Sequence, residues 1–301
     1  MIEARGLSSR TRALIPSDDH PAFGRHAPTG ALARLIAATR RAPPGWWARR
    51  AAAAARAFGV WRLKGRPADV ESFGARMRLH PHDNLCERRL LFAPHLFDPQ
   101  ERALLAQRMK PDFVFVDAGA NVGGYALFVA AQAGSRARIL AIEPQPDIHA
   151  RLIFNIRQNT FATIKTLECA LADREGEAVM FIDAANRGES SMRVMPAVDG
   201  GRICVQARTL ASVVMSEGLT HVDAMKVDCE GAEDLILEPY FATCPIALWP
   251  RLLIVERNPH RWCVDLFGLL GARGYRETLR TRQNIVLELS AARGPSGARA
   301  G

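Results

Sequence analysis

The sequence lacks long apolar runs and paired cysteines, and each shortage excludes a class of protein. Although 48% of the 301 residues are apolar, no stretch approaches the roughly 18 consecutive apolar residues of a membrane-spanning helix. The six cysteines stand apart, without a C-x-x-C pair, which excludes a zinc knuckle or a disulfide framework and favours a reducing compartment. Residues 1–23 contain no continuous apolar segment, so we expect no secretory signal and a cytoplasmic protein.

Lysine is also scarce, and the positive charge is unevenly placed. Four of the 40 basic residues are lysines. Residues 1–66 carry 13 Arg and Lys against 3 Asp and Glu, whereas residues 67–301 carry 27 against 28. A nucleic-acid surface would place its basic residues on the folded body, and that body is neutral. We therefore expect no nucleic-acid partner.

The basic segment, residues 1–66, is called the leader here. Residues 1–29 are rich in Pro, Ser, Gly and Asp and lack periodicity, which predicts disorder. The stretches "GALARLIAATRR" and "WWARRAAAAARAFGVWRL" predict helices. Arginine and tryptophan beside an apolar face could lie on an anionic membrane surface, but we expect instead a helical leader packed on the domain or on a partner subunit. The expected organisation is this leader, an α/β domain at 67–290 and a disordered tail at 291–301.

From residue 112 onward, apolar β-type runs alternate with helical segments. Helices are expected at 123–133, 146–159, 209–217 and 261–272, with strands between them. This alternation predicts a doubly wound, mostly parallel sheet with helices on both faces. The last two strands are joined by "TRQ" and must form an antiparallel hairpin. We therefore predict a Rossmann-like, seven-stranded sheet that binds ligands at the carboxyl ends of its central strands.

The turn "VDAGANVGGY", residues 116–125, connects the first of these strands to its helix. A dinucleotide-binding turn needs glycine where this chain has Asn121, because the pyrophosphate approaches the backbone there. Asp117 at the strand end would repel a phosphate. Both residues suit a cofactor with a cationic amine and no phosphate, such as S-adenosylmethionine. We predict that Asp117, Gly119, Asn121 and Gly123 contact this cofactor, with backbone amides at the helix start holding its carboxylate.

The second strand provides a check on that prediction. It ends in "AIEP", which places Glu143 where an acid accepts the two ribose hydroxyls. The alternative for either acid alone is a solvated strand-end residue. Two acids at the appropriate strand ends favour a cofactor site.

At this point the chain resembles the FkbM family of S-adenosylmethionine-dependent methyltransferases. The segments "FVDAGANVGGYALFVA", "AIEPQPDIHARLIFNI", "ALADREGEAVMFI" and "HVDAMKVDCEGAEDLIL" carry the resemblance, which spans roughly residues 75–290. It implies methyl transfer to a hydroxyl of a sugar, polyketide or other small molecule. It also implies that Leu171, Ala172 and Asp173 border the adenine, although "DREG" alone would indicate a plain turn.

The acids after the fourth and fifth strands are the candidate catalytic residues. Asp228 and Glu230 follow the fourth strand, and Lys226 lies deeper on the same face, where we expect it to pair with an acid. Glu230 is the first candidate for the general base that an alcohol needs. Glu256 and His260 are second choices, and His260 is equally placed to cap a helix starting at residue 261.

Three alternatives remain open from the sequence. Asp228, Glu230 and Glu256 offer oxygen ligands for a divalent metal, although we predict none. A nicotinamide-dependent oxidoreductase and a non-catalytic scaffold of the same fold are the rival functions. A loop with Ser190 and Ser191 is expected over the site.

Overall fold

The structure is a computed structural model that describes residues 21–43, 46–161, 163–181 and 202–290. Two predictions concern residues outside the described ranges. They are the disorder of residues 1–20 and 291–301 and the loop with Ser190 and Ser191. Ahead of the main sheet lie α1 (Gly30–Arg40), α2 (Trp46–Leu63), β1 (Ala68–Ser72), β2 (Ala75–Leu79), α3 (Leu85–Phe92) and α4 (Pro99–Ala106).

The remaining elements follow the alternation predicted from the sequence. The strands are β3 (Val114–Ala118), β4 (Arg138–Ile142), β5 (Ile164–Leu167), β6 (Ala170–Leu171), β7 (Gly176–Phe181), β8 (Arg202–Arg208), β9 (Ala224–Val227), β10 (Leu252–Glu256), β11 (Tyr275–Arg280) and β12 (Asn284–Leu289). The helices are α5 (Gly124–Ala133), α6 (Pro146–Arg157), α7 (Leu210–Ser216), α8 (Glu233–Thr243) and α9 (Leu266–Ala272).

Seven of these strands form one sheet in the order β11-β12-β10-β9-β3-β4-β5. Within this sheet, five neighbouring strands are parallel: β10, β9, β3, β4 and β5. Strand β12 is antiparallel to both β10 and β11. The predicted fold class, a mostly parallel Rossmann-like sheet with a C-terminal antiparallel hairpin, is confirmed. Because β3 lies between β4 and β9, the connections reverse direction there, and ligands bind at such a switch point.

Burial on both faces explains the apolar character of the central strands. Every residue of β3 and β9 is buried. Side chains alternate between two cores: Phe115 and Ile254 belong to one, which α5, α6 and the leader cover, while Val116 and Val255 belong to the other, under α7, α8 and α9. Helices on both faces are what a parallel sheet requires.

The described part of the leader packs on the body. The guanidinium of Arg40 donates to the carbonyls of Leu91 and Glu71, each at 2.7 Å. The amides of Gly24 and His26 donate to Asp69 at 2.8 and 3.0 Å. The disorder predicted for residues 1–29 is therefore wrong for 21–29, because buried Asp69 binds their backbone. The domain boundary at residue 66 stays a prediction.

The last helix is shorter than predicted. It starts at Leu266, not at residue 261, because Asp265 caps it by accepting from the amide of Gly268 at 3.0 Å. The preceding residues are held against α8 instead: the indole of Trp262 donates to Glu233, and the amide of Cys263 donates to Asp234. Among the described helices, none has both the length and the apolar character that crossing a membrane requires.

Candidate active site

A cavity of about 300 Å³ lies at the carboxyl ends of β3, β4, β9 and β10. This is the switch point of the sheet, and its size is that of a small-molecule site. Its two halves have different linings. The half at β3, β4 and β6 is called the cofactor half, and the half at β9, β10, α3 and the β11–β12 turn is called the acceptor half.

In the cofactor half, Asp117 is 1% exposed at the end of β3. Its Oδ2 accepts from the amide of Ala126 in α5 at 3.0 Å. Burial raises the pKa of Asp117 to about 6, while the charge of Lys226 opposes the rise. The elevated pKa indicates that the protein compensates only part of the cost of burying this negative charge. A cationic ligand would therefore stabilise the charged carboxylate.

The glycine turn is shaped by a close approach of two backbones. Gly119 has φ +80, and a Cβ there would lie 1.9 Å from the carbonyl oxygen of Asp228. Gly123 has φ +95, and its Cβ would lie 2.8 Å from Leu152 Cδ1. Gly119 lines the cavity, and glycine is required there because the backbones after β3 and β9 converge. At Gly123 glycine is required because α6 packs closely against the turn.

The backbone amides of this turn already have acceptors within the protein. The amides of Gly119 and Ala120 donate to the carbonyl of Ile142, and that of Gly123 donates to Ala120. The amide of Asn121 donates to Glu143 Oε2 at 2.9 Å, and the amide of Val122 donates to the side chain of Asn121. A turn that binds a phosphate or a carboxylate directs its amides at the ligand, so the amides of residues 119–123 support neither a pyrophosphate nor the predicted contact with the cofactor's carboxylate.

The side chain of Asn121 also points to a neighbour that the sequence did not suggest. Asn121 adopts φ +49, and its Oδ1 accepts from Asn84 Nδ2 at 2.9 Å. Asn84 is fully buried and caps α3, accepting from the amide of Glu87. Asn121 therefore joins the cofactor turn to α3.

Glu143 occupies the end of β4 and is 7% exposed. Its two carboxylate oxygens accept from the amides of Asn121 and Gln145, at 2.9 and 3.0 Å. Burial raises the pKa of Glu143 to about 7, and the charges of Asp117 and Asp228 add to the rise. These residues fit a phosphate-free cofactor with cationic and hydroxyl groups, because two buried acids gain compensation from its charge and its donors.

In the acceptor half, Lys226 forms the centre of a charged group. It is buried on β9, and its Nζ lies 2.5 Å from Asp228 Oδ2, which confirms the predicted pairing with an acid. Its Nζ also lies 5.0 Å from the centre of the Tyr125 ring. Burial opposes its charge, but Asp228 and Asp117 raise the pKa of Lys226 above its ordinary value. The lysine therefore remains charged and fixes Asp228.

Three carboxylates converge beside this lysine. Oxygens of Asp228, Glu230 and Glu256 lie within 4.8 Å of one another. Burial, followed by the charges of Asp228 and Glu230, raises the pKa of Glu256 well above its ordinary value. These are the residues that the metal alternative named, and in the described part of the chain they form the one group of acids, histidines or cysteines suited to a metal ion. Lys226 already supplies a positive charge to this group.

The turn after β9 holds Glu230 in an unusual backbone conformation, with φ +52. Buried Glu233 fixes this turn by accepting from the amides of Cys229 and Gly231, each at 3.0 Å. Arg261 donates to the carbonyl of Glu230 at 2.9 Å. Glu233 is therefore more than a helix-start acid, because it sets the position of Glu230.

The cavity includes most of the predicted site residues and leaves out four. Of the residues the structure describes, those lining it include Asp117, Gly119, Asn121, Glu143, Asp228, Glu230 and Glu256. Gly123, Ala172, Asp173 and His260 are not among them. Asp173 is exposed in the turn before β7, while the neighbouring Leu171 does line the cavity.

His260 is exposed because the chain turns there and α9 begins later. The capping role predicted for His260 is therefore wrong, since Asp265 caps that helix. Its role as a base gains no support from the cavity lining.

Other lining residues come from segments that the sequence did not connect to the site. Asp98 stands at the N-cap position of α4, but its side chain makes no capping bond and accepts from the hydroxyl of Tyr125 at 3.0 Å. Arg89 of α3 donates to Gln283 of the β11–β12 turn at 2.9 Å. The unexpected lining residues of the acceptor half are Leu85, Cys86, Arg89, Phe97, Asp98, Gln283 and Asn284.

Comparison with known proteins gives matches in the same part of the chain. A family model described as the Methyltransferase FkbM domain matches residues 117–276, just over half of the chain. Methyltransferase sdnD of Sordaria araneosa is 27% identical over 177 residues, which cover 49% of this chain and 65% of that protein. The chain thus spans less than two thirds of that relative's length.

Solved structures with a similar fold are more distant. A SAM-dependent methyltransferase from Aquifex aeolicus is 13% identical, with 65% of this chain and 92% of that chain covered and a TM-score of 0.39. Fibrillarin from Aeropyrum pernix, in complex with S-adenosyl-L-methionine, is 11% identical, with 63% and 73% covered and a TM-score of 0.38. Similarity this low identifies no substrate.

Proposed function

The chain belongs to the FkbM methyltransferase family, and we propose that it methylates a hydroxyl group of a small molecule or sugar. Its methyl donor is S-adenosylmethionine, which supplies an electrophilic methyl group on a sulfonium. The observation that carries the proposal is the convergence of Asp228, Glu230 and Glu256 in the acceptor half of the cavity. An alcohol is a weak nucleophile, and a carboxylate placed to accept its proton assists the attack.

Glu230 is the proton acceptor in this proposal. Asp228 is ion-paired with Lys226 at 2.5 Å, so its carboxylate is already engaged by a cation. The raised pKa of Glu256 favours its protonated form, which is suited to donate a hydrogen bond. Glu230 is the member of the group whose strained backbone is fixed by two neighbours, Arg261 and Glu233. Strain held in this way is typical of functional positions.

The remainder of the acceptor half favours a polar acceptor. Arg89, Gln283 and Asn284 line it together with Phe97. Planar amide and guanidinium groups bind hydroxyls in defined directions, and an apolar ring packs against a carbon skeleton. The neutral charge of residues 67–301 supports a small-molecule acceptor in preference to a nucleic acid.

The test is transfer of a ¹³C-labelled methyl group from S-adenosylmethionine to metabolite, sugar and lipid extracts. The proposal expects a product whose methyl carbon has the chemical shift of a methyl ether, and a methyl ester would show a carboxyl acceptor instead of a hydroxyl. A product methylated on nitrogen or sulfur would overturn it.

The role of Glu230 has its own measurement. Glu230→Gln is expected to lower kcat about 100-fold and to leave binding of S-adenosylhomocysteine unchanged. His260→Gln is the control, and full activity is expected because His260 lies outside the cavity lining. Wild-type turnover by the Glu230 variant would remove that residue from the mechanism.

The rival functions separate in a ligand titration. S-adenosylhomocysteine is expected to raise the melting temperature and NAD to leave it unchanged, because the amides of the glycine turn donate within the protein. Stabilisation by NAD alone would favour an oxidoreductase, and stabilisation by neither would favour a scaffold.

A further inference from the structure

The outer face of α2 carries two large aromatic side chains that the described residues leave exposed. Phe58 is 52% exposed and Trp61 is 65% exposed. Their ring centres lie 5.5 Å apart, so they form one ridge. Ala54 and Ala51 continue this ridge, one and two turns before Phe58 toward the start of the helix. An exposed aromatic ridge of this kind marks a contact surface.

The opposite face of α2 is fixed on the protein, so the ridge cannot turn inward. Ala52 and Leu63 are buried. Gly59 faces α3 so closely that a Cβ would lie 2.6 Å from the ring of Phe92, and 3.3 Å from Leu35 of α1. The helix is therefore held with Phe58 and Trp61 directed outward.

The charge around the ridge has one sign. Residues 21–66 contain ten Arg and Lys and no Asp or Glu. Arg62 follows Phe58 by one helical turn, and Arg62, Lys64 and Arg66 are exposed. Three of the five tryptophans of the whole chain fall in α2. A partner for this face must therefore be anionic and must accept aromatic side chains.

We propose that the outer face of α2 docks on an anionic membrane surface. Trp61 and Phe58 enter the region between headgroups and acyl chains, and the surrounding arginines contact the lipid phosphates. A nucleic-acid site would be expected to present polar donors, whereas alanines extend this ridge. Residues 1–20 contain equal numbers of basic and acidic residues and so offer no opposite charge. A second copy of the chain would bring the same positive charge.

The consequence for the enzyme follows from the packing. α2 contacts α3 where Gly59 meets Phe92, and α3 contributes Leu85, Cys86 and Arg89 to the acceptor half of the cavity. α3 would therefore connect a membrane contact made by α2 to the acceptor half. This inference does not depend on which atom receives the methyl group.

The test is flotation of the purified full chain with vesicles of phosphatidylcholine, with and without phosphatidylglycerol. Binding is expected with the anionic vesicles alone and is expected to weaken at high salt. Trp61→Ser is expected to lower the partition coefficient about tenfold. Arg62→Gln is expected to lower it about fivefold. Both side chains are exposed, so the melting temperatures should stay within a few degrees of wild type.

Matched controls lie elsewhere on the surface. Ile246 is 71% exposed outside the leader, and Ile246→Ser removes an exposed apolar side chain without touching the ridge. Arg276 is exposed on β11, and Arg276→Gln removes the same charge as Arg62→Gln. Both controls should float like the wild type.

Three results would overturn the proposal. Equal loss of binding in Trp61→Ser and Ile246→Ser would show a nonspecific interaction. Tighter binding to a labelled oligonucleotide than to vesicles, lost in Trp61→Ser, would assign the face to nucleic acid. Light scattering that shows a dimer in the wild type and a monomer in Trp61→Ser would assign it to a second copy.

Discussion

The cofactor half and the acceptor half of the cavity satisfy their buried charges in different ways. In the cofactor half, Asp117 and Glu143 accept from backbone amides, at Ala126, Asn121 and Gln145. In the acceptor half, side chains pair with other side chains: Lys226 with Asp228, and Asn258 with Glu256.

The difference indicates how each half determines its ligand. Backbone donors follow from the strand–turn–helix geometry and change little when a surface residue is replaced. Side-chain pairs depend on several distant segments, and each can be exchanged separately. A cofactor that is constant across reactions suits the first arrangement, and an acceptor that varies between enzymes suits the second.

The largest expected effect tests the backbone geometry of the cofactor half. Gly119→Ala would place a Cβ at 1.9 Å from the carbonyl oxygen of Asp228, so β3 and β9 would have to separate. We expect a loss of more than about 4 kcal/mol in the free energy of unfolding and no binding of S-adenosylhomocysteine, measured by thermal and urea unfolding with and without that ligand.

The control for Gly119 is another glycine with positive φ. Gly218 has φ +62, and an added Cβ would meet nothing within 4 Å, so Gly218→Ala has only the backbone cost of about 1 kcal/mol. Equal effects of the two substitutions would show that the left-handed conformation, and not the close approach, is what requires glycine.

The second prediction concerns the charge at the centre of the acceptor half. The side chain of Lys226 is 5% exposed and pairs with Asp228. Lys226→Met would leave Asp228 and Asp117 without their cation, and we expect a loss of about 3–5 kcal/mol by urea unfolding. Lys165→Met is the control, because Lys165 is 63% exposed in its pair with Glu217 and should cost less than about 1 kcal/mol. Similar losses in the free energy of unfolding of both variants would show that burial of the lysine does not determine the cost of removing its charge.

The same contrast explains what the sequence could predict. The sheet and most of the cofactor half follow from local patterns: a strand, a glycine turn and an acid at the next strand end. There were exceptions: Asp173 depended on resemblance alone and proved to be exposed, and Gly123 packs against α6 outside the cavity lining.

The acceptor half was less predictable because its residues are distant in sequence. Asp228, Glu230 and Glu256 follow predicted strands, and they were found. Arg89 and Gln283 meet across 194 positions, and no short pattern encodes that contact. The start of α9 was misplaced, and with it the cap at residue 260, because that start depends on Trp262 and Cys263 binding α8.

The third prediction tests the charge in the cofactor half. Asp117→Asn keeps an acceptor for the amide of Ala126 and removes the negative charge that we expect to attract the cofactor's ammonium. Affinity for S-adenosylhomocysteine should fall about 100-fold by calorimetry. Asp173→Asn is the control and should bind normally, because Asp173 lies outside the cavity lining. Equal affinities in the two variants would exclude Asp117 from cofactor recognition.

The smallest expected effect is a pH dependence set by Glu143. Burial raises its pKa from 4.5 to about 7, so between these pH values the ligand-free native state keeps a proton that the unfolded chain has lost. Stability therefore falls as pH rises through this window, by on the order of 2 kcal/mol from this group. Glu143→Gln should reduce that slope, measured by urea unfolding at several pH values.

Glu87 separates the stability effect from cofactor binding. It is also buried, with a pKa raised to about 7 by burial, but Arg151 binds it outside the cavity lining. Ribose hydroxyls donate to a charged Glu143, so affinity for S-adenosylhomocysteine should rise with pH toward neutrality in the wild type and in Glu87→Gln. In Glu143→Gln this rise should be smaller, because only the ionisation of Asp117, with a pKa of about 6, remains to drive it. If Glu87→Gln removes the rise in affinity and Glu143→Gln keeps it in full, Glu143 does not bind the ribose. The cofactor half of the cavity would then have to bind a different ligand.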